Sequence, residues 1–369
     1  MKVTLLTNNL QKKLSFLNHA VYTKTQLPIL LNILLETVDG KLKISSTDLE
    51  IGIETFISTT IEEEGSVTVP AKTFTELINS LPDDTLRLQT KENTLEVVSK
   101  KTKSTFQTTS RDDFPTLYED KGEKIATLVG NDLHKDFSSV LFSSSTDTTR
   151  PALSGVLVRK ESEGFLLVAT DGYRLSLKHY KVENNLETKD SSFIVPARVF
   201  KELLAINEED DKINMYVSVG SNQILFEKGE TVLVGRLIEG DFPNFEKIIP
   251  SDFSVSVEFD REDMQKAVKV CSIFARDAAN IIKLSFYKDH ITVSSQSSSV
   301  GENTVDVDAK LSGEENEIAF NSRYLLDFLA NIEAKDLVFE MTGPLNSGVF
   351  KVKDDTSFLH LIMPIRVQS

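Results

Sequence analysis

VPAKTFTELI, residues 69–78, returns 126 positions later as VPARVFKELL, residues 195–204. A weaker third copy, AFNSRYLLDF, begins at Ala319, a further 124 positions on. A phrase repeated at a fixed period marks repeated structural units. Its surroundings repeat with it. Downstream, DDFPTL at 112–117 matches GDFPNF at 240–245, and IMPIRV at 362–367 takes that place in the last third. Upstream, STDLEI at 46–51 matches ATDGYRL at 169–175. The 369 residues therefore read as three units in register, 1–122, 123–250 and 251–369.

Each unit has the same grammar. It opens on a helical pattern: Leu10, Leu14, Leu17 and Val21 in the first, Leu133, Phe137 and Val140 in the second, Met264, Val268 and Cys271 in the third. Strand-like runs follow, such as KLKISSTDLEIGIETFIS, GFLLVAT and HITVSS. A second helix opens at the VPA phrase, and more strands lead to the FP or MP element. Alternating strands predict antiparallel sheets with helices packed on one side. The fold class is α+β, three similar domains of antiparallel sheet with paired helices on one face.

Composition narrows the function. The single cysteine, Cys271, excludes an internal disulfide framework and fits a reducing compartment. The start of the chain shows no secretory apolar region, and no run approaches the roughly 18 apolar residues that cross a bilayer. The reading is a cytoplasmic protein with no membrane contact.

The formal net charge is −15. Spread evenly, that charge would argue against nucleic acid. It is not spread evenly. Two positions after the first apolar residue of each opening helix, about 200° round the axis, stand Lys12, Lys135 and Lys266. On the second helices Lys72 and Arg198 match, the third unit has Ser322 with Arg323 beside it, and Lys201 shares the polar face with Arg198. The six helices sum to about +2 and the remainder to near −17. Lone lysines usually mark a solvated helix face. Three coincident lysines in three diverged copies weigh against that ordinary reading.

Enzyme motifs are missing. The sequence has no GxxxxGK[ST], GxGxxG, HExxH or GxSxG. His19, His134, His179, His290 and His360 are scattered without metal-ligand spacing. Asp171 of TDG has the position of a turn cap, and EEDD at 208–211 that of a solvated loop. No catalytic residue, metal or cofactor is expected. The rival class is a repeat-built scaffold that binds proteins but not DNA; Lys12, Lys135 and Lys266 are the residues whose reversal discriminates between the two readings.

The chain resembles the bacterial DNA polymerase III beta subunits, the replicative sliding clamps. The resemblance spans the whole chain and rests on LPILLNILLE at 27–36, RPALSGV at 150–156, ATDGYRL at 169–175, GDFPNFEKIIP at 240–250 and MPIRV at 363–367. It implies a head-to-tail dimer forming a ring of six domains, helices inside and sheet outside. Duplex DNA would thread the hole without sequence preference. Lys12, Lys24, Lys72, Lys135, Arg198, Lys201 and Lys266 would then face phosphates, which position a protein without reading sequence. The dimer interface would hold Phe106 on one side and Ile273 and Phe274 on the other, with Lys103 and Glu302 as rim charges.

The resemblance also implies a hydrophobic groove where short linear motifs of polymerase, clamp loader and repair proteins dock. Its walls would be Leu153, Thr170, Gly172, Tyr173, Arg174, Leu175, Pro243, Ile248, Leu361, Met363, Pro364, Ile365 and Arg366. The chemistry suits that task. Apolar anchors need a concave apolar site with a few polar groups, and methionine adapts to different ligands. Arg174 and Arg366 are expected to bond peptide carbonyls or acids at the rim. Tyr173 departs from the histidine that common members carry there, which predicts an altered motif preference.

Overall fold

The computed structural model describes residues 1–22, 26–129, 133–147, 149–182 and 191–366. Each third of the chain runs strand, helix, strands, helix, three strands. The described helices are α1 (Thr7–Leu17), α2 (Ala71–Ser80), α3 (Leu133–Leu141), α4 (Ala197–Leu204), α5 (Arg261–Ala275) and α6 (Ser322–Asn331). The repeated phrase is a strand-to-helix junction. Strand Ser66–Pro70 ends in a proline, which has no N–H to donate, and α2 starts at the next residue. Val69, Ala71, Phe74 and Ile78 are buried, and so are Val195, Ala197, Phe200 and Leu203 in the second copy.

The third copy shifts by one. Asn321 caps α6 by accepting from the Arg323 N–H, so the helix starts at Ser322. Arg323 therefore stands second in its helix, as Lys72 and Arg198 do. The sequence alignment had put Ser322 there. Likewise Lys12 and Lys266 are each the sixth residue of their helices.

Two compact units emerge, Met1–Gly130 with Arg198–Leu237, and Asn131–Ala197 with Ile238–Ser369. In the first, a five-stranded sheet has the order Thr60–Glu63, Lys2–Leu6, Thr85–Lys91, Thr94–Ser99, Thr102–Gln107. An eight-stranded sheet joins Asn32–Val38, Lys41–Thr47 and Ile51–Ser58 of the first repeat to Thr231–Arg236 of the second. Helices α1 and α2 cross-link through Gln11, whose Nε2 donates to the carbonyls of Ile78 (2.8 Å) and Leu81 (3.1 Å). Leu10, Leu14, Leu17 and Phe74 fill the core beneath them.

The second unit holds one twelve-stranded antiparallel sheet. Its largest core gathers Met264, Val268, Phe320, Phe328, Phe339 and Phe350. Burying each such ring stabilises by roughly 1.5–3 kcal/mol. Gly348 permits the closeness: a Cβ there would lie 2.5 Å from both Phe320 and Phe339.

One pairing rule recurs in both units. Closing strand Thr231–Arg236 of the second repeat pairs with Ile51–Ser58, the third strand after the opening helix of the first, from Thr231↔Thr55 to Gly235↔Ile51. Closing strand Asp355–Ile362 of the third repeat pairs in the same way with Arg174–Lys181 of the second, from Arg174↔Ile362 to Lys178↔Phe358. This rule shares the middle repeat between the two units. It also leaves two ladder edges without the partner that this rule would supply among the described residues. One is the outer edge of Thr102–Gln107. The other is the outer edge of residues 301–308 in strand Gly301–Gly313.

Candidate functional site

The turn 170–174 is built by its own side chains. The Thr170 hydroxyl donates to the Arg174 carbonyl (2.6 Å) and accepts from the Gly172 N–H (3.0 Å). Asp171 accepts from the N–H groups of Tyr173 (2.9 Å) and Arg174 (3.0 Å). Gly172 sits at φ 92, the left-handed region that favours glycine. The first repeat closes with the same bonds on Thr47 and Asp48, and there Leu49 accepts φ 71. Asp171 is thus a turn cap.

The last strand brings the end of the chain to this turn. Leu175 pairs with Leu361, the Met363 N–H donates to the Tyr173 carbonyl (2.8 Å), and the Ile365 N–H to the Ala319 carbonyl (2.8 Å). The segment 240–249 packs on the same sheet through Phe242, Phe245 and Ile249, beside Leu175 and Leu361. Pro243 and Ile248 stay exposed on it.

The accessible apolar surface comprises Tyr173 (58% exposed), Ile248 (44%) and Met363 (45%), with Pro243 and Gly172 also exposed and Pro364 and Ile365 half-buried. Leu153, Thr170, Leu175 and Leu361 are buried. Arg366 is exposed.

Arg174 is buried, and two of its nitrogens pair within the protein. Nε donates to Asp171 (3.1 Å) and Nη1 to Asp327 (2.7 Å), while the guanidinium carbon lies 4.7 Å from the Tyr324 ring centre. Tyr324 stacks on Tyr173 with centroids 6.4 Å apart and planes at 20°. Sequence reasoning missed Tyr324 and Asp327. Both lie on α6, three positions apart and so on one face, but nothing local tied that face to ATDGYRL.

Below Arg174, His360 is fully buried, with Nδ1 2.8 Å from the Ser176 hydroxyl and its ring 4.7 Å from Phe328 in parallel planes. Burial, and next the Arg174 charge, hold its pKa well below the ordinary 6.5. The folded chain refuses a proton that the unfolded chain takes up below that value. Stability should therefore fall as pH drops below the ordinary imidazole range, by up to about 1.4 kcal/mol per pH unit from this group. Thermal unfolding at pH 7.5, 6 and 5 should show a steeper decline in the wild type than in His360→Phe, and equal slopes would contradict the assignment.

The basic residues lie where the helix pattern put them. Lys12, Lys72, Lys135, Lys201 and Lys266 are exposed; Lys24 lies outside the described residues. Arg198 differs. It ion-pairs with Asp48 (2.6 Å) and Glu50 (3.6 Å) and donates to the His19 carbonyl, so acids on its own unit offset its charge. Helix α1 carries +2, α4 and α5 carry +1 each and the others are neutral, so the helices hold +4 and the remainder −19.

Of the expected interface residues, Ile273 is 54% exposed and Phe274 half-buried. Their helix α5 borders the open edge at 301–308, where the Cys271 thiol donates to Asn303 (3.2 Å). Phe106 is instead 9% exposed, its ring edge-on to Phe74 at 5.6 Å. Its strand offers a backbone edge rather than that ring. Among the described residues no His, Cys, Asp and Glu cluster could hold a metal, and no helix is long and apolar enough to cross a membrane.

Three family descriptions match the chain in order. They are the DNA polymerase III beta subunit N-terminal domain at residues 1–118, central domain at 127–244 and C-terminal domain at 246–366. The beta sliding clamp of Synechococcus elongatus is 30% identical over 381 residues, covering both chains fully. That of Staphylococcus aureus is 31% identical over 362 residues, 94% of each. Among solved structures, the DNA polymerase sliding clamp of Bacillus subtilis superposes with a TM-score of 0.95 at 26% identity over the full length of both. The DNA polymerase III beta subunit of Pseudomonas aeruginosa does so at 0.93 and 26%, again over both full lengths.

Proposed function

The chain belongs to the DNA polymerase III beta subunit family, the sliding clamps of DNA replication, and from that premise we propose how it holds DNA and partners. Two copies close head to tail into a ring of six domains, with limits near 1–122, 123–250 and 251–369 in each chain. Duplex DNA passes through the hole in the cytoplasm. The ring tethers the polymerase by topology, as a processivity factor without chemistry of its own.

The recurring strand pairing carries this reading. The closing strands of the second and third repeats each add to the third strand of the preceding repeat, and the two edges left without that partner, on the first closing strand and on the last repeat's third strand, are the matching pair. Joining Thr102–Gln107 of one copy to residues 301–308 of another repeats the junction. A heterologous contact of this kind closes when the rotations complete a turn. It also removes the exposed edges, which otherwise invite aggregation. Ile273, Phe274, Lys103 and Glu302 border that junction.

The lysines of the opening helices face phosphates, and the acidic remainder repels DNA from the outside. Tight binding is unnecessary once DNA is encircled. The surface around Tyr173, Ile248 and Met363 takes short motifs of polymerase, clamp loader and repair proteins. A sliding clamp of Pseudomonas aeruginosa has been solved bound to griselimycin.

Mass in solution tests the ring. At micromolar concentration the wild type should have twice the 41.2 kDa chain mass, and Ile273→Asp should shift the population to monomer. A wild type that stays monomeric at all concentrations would defeat the proposal.

A further inference from the structure

We propose that the junction of the first two repeats carries a second docking surface, around Leu49 and Arg236, that takes a short peptide in which an apolar side chain precedes an acidic one. It lies wholly in the first unit and is independent of the groove around Tyr173. The pairing rule makes the two places equivalent in the repeat. In the second unit the Met363 N–H donates to the Tyr173 carbonyl (2.8 Å), and in the first the Arg236 N–H donates to the Glu50 carbonyl (3.0 Å). Arg236 therefore stands where Met363 does, Glu50 where Tyr173 does, and Leu49 where Gly172 does.

The surface is concave and preformed. A cavity of about 150 Å³ lies between the turn 47–52 and the strap 115–117, with Arg236 in its lining. It has room for one aliphatic side chain. Leu117 of the strap packs on the cluster of Leu225, Val232 and Val234. Gln223, directly across from Arg236 on the next strand, holds the strap by donating from Nε2 to the Leu117 carbonyl (2.9 Å). The same strap lines a further cavity of about 340 Å³. Two cavities along one strap suit an extended peptide rather than a compact molecule.

Its chemistry differs from that of its counterpart. Leu49 lines the cavity, is 50% exposed, and holds φ 71, a conformation that leucine rarely adopts. The turn bonds on Thr47 and Asp48 enforce it. Strain that the surroundings enforce clusters at ligand contacts, and here it presents an apolar side chain where glycine would fit. Arg236 is exposed, and its guanidinium pairs with no carboxylate among the described residues. Glu50 lies 3.6 Å from Arg198 instead. An unpaired guanidinium beside an apolar contact suits a carboxylate held by two parallel bonds. On a chain of net charge −15, most of the surface repels an acidic peptide, so Arg236 fixes position as well as affinity.

The test uses the full chain and three labelled glycine–serine decapeptides with blocked ends. Their central pairs are leucine–aspartate, leucine–asparagine and leucine–lysine. Fluorescence anisotropy at low salt, where surface charges are least screened, reads binding. Wild type should take the aspartate peptide roughly fivefold more tightly than the asparagine peptide, and the lysine peptide most weakly. Arg236→Gln should erase the difference between aspartate and asparagine. Leu49→Gly should weaken both without lowering the thermal midpoint, because glycine takes φ 71 without strain. Met363→Asp, which alters only the other groove, should leave all three affinities unchanged. Equal binding of the three peptides to wild type, or none, would overturn the proposal. So would a loss in Met363→Asp with Arg236→Gln unaffected, which would place the peptide in the second unit.

Discussion

Replacing Lys12, Lys135 and Lys266 together with glutamate should abolish processive synthesis while leaving the dimer and its thermal midpoint intact. All three are exposed on opening helices. The substitution takes the helices from +4 to −2, counting two charges at each of three sites. Exposed substitutions of this kind usually change stability by less than about 0.5 kcal/mol each. Among the described residues the one ion-pair partner lost is Asp263, 3.1 Å from Lys266 and itself exposed, and such surface pairs contribute little.

The effect on DNA is large because the duplex presents about one charge per 1.7 Å of axis. Six units of reversed charge turn a mildly attractive lining into a repulsive one. Loading onto primed circular DNA should fall at least tenfold at about 0.1 M salt, where exposed charges interact over roughly 10 Å. Product length on a long template should fall with it. Products of normal length would favour a protein scaffold that does not touch DNA.

Ending the chain after Ile362 should reduce partner-peptide affinity at least a hundredfold without dissociating the ring. Leu361 and Ile362 remain, both fully buried, so the last strand keeps its pairing with Arg174–Lys181. What disappears is Met363, 45% exposed, together with the backbone bonds to Tyr173 and Ala319. The apolar surface loses one side and Tyr173 loses its neighbour. Met363→Asp, which keeps the backbone, should lose at least tenfold by placing a charge where an apolar anchor docks. Calorimetric titration with a polymerase-derived peptide decides the matter. Unchanged affinity in the truncated chain would show that peptides dock elsewhere.

The element order, the strand-to-helix junction at VPA and the outward lysines were legible because they are local. An apolar residue every three or four positions places its neighbours on the opposite face whatever the helix packs against. Alignment by sequence slipped by one at Ser322 because the third copy lacks proline, and only the Asn321 cap located the helix start. The groove was legible as a set of motifs but not as a surface. Leu361 and Met363 are two apart in sequence, yet one is core and the other exposed, because the strand ends between them.

The sequence by itself determined a threefold repeat, an α+β chain and a basic excess on its helices, since period and charge need no knowledge of long-range contacts. Tertiary structure alone decided which strand edges stay open and that Phe106 turns inward against Phe74. It alone decided that Arg174 pairs with Asp327 and that His360 is buried without charge. Each of these depends on pairing between segments about 30 to 190 residues apart. There the energy lies in contacts that no local window contains.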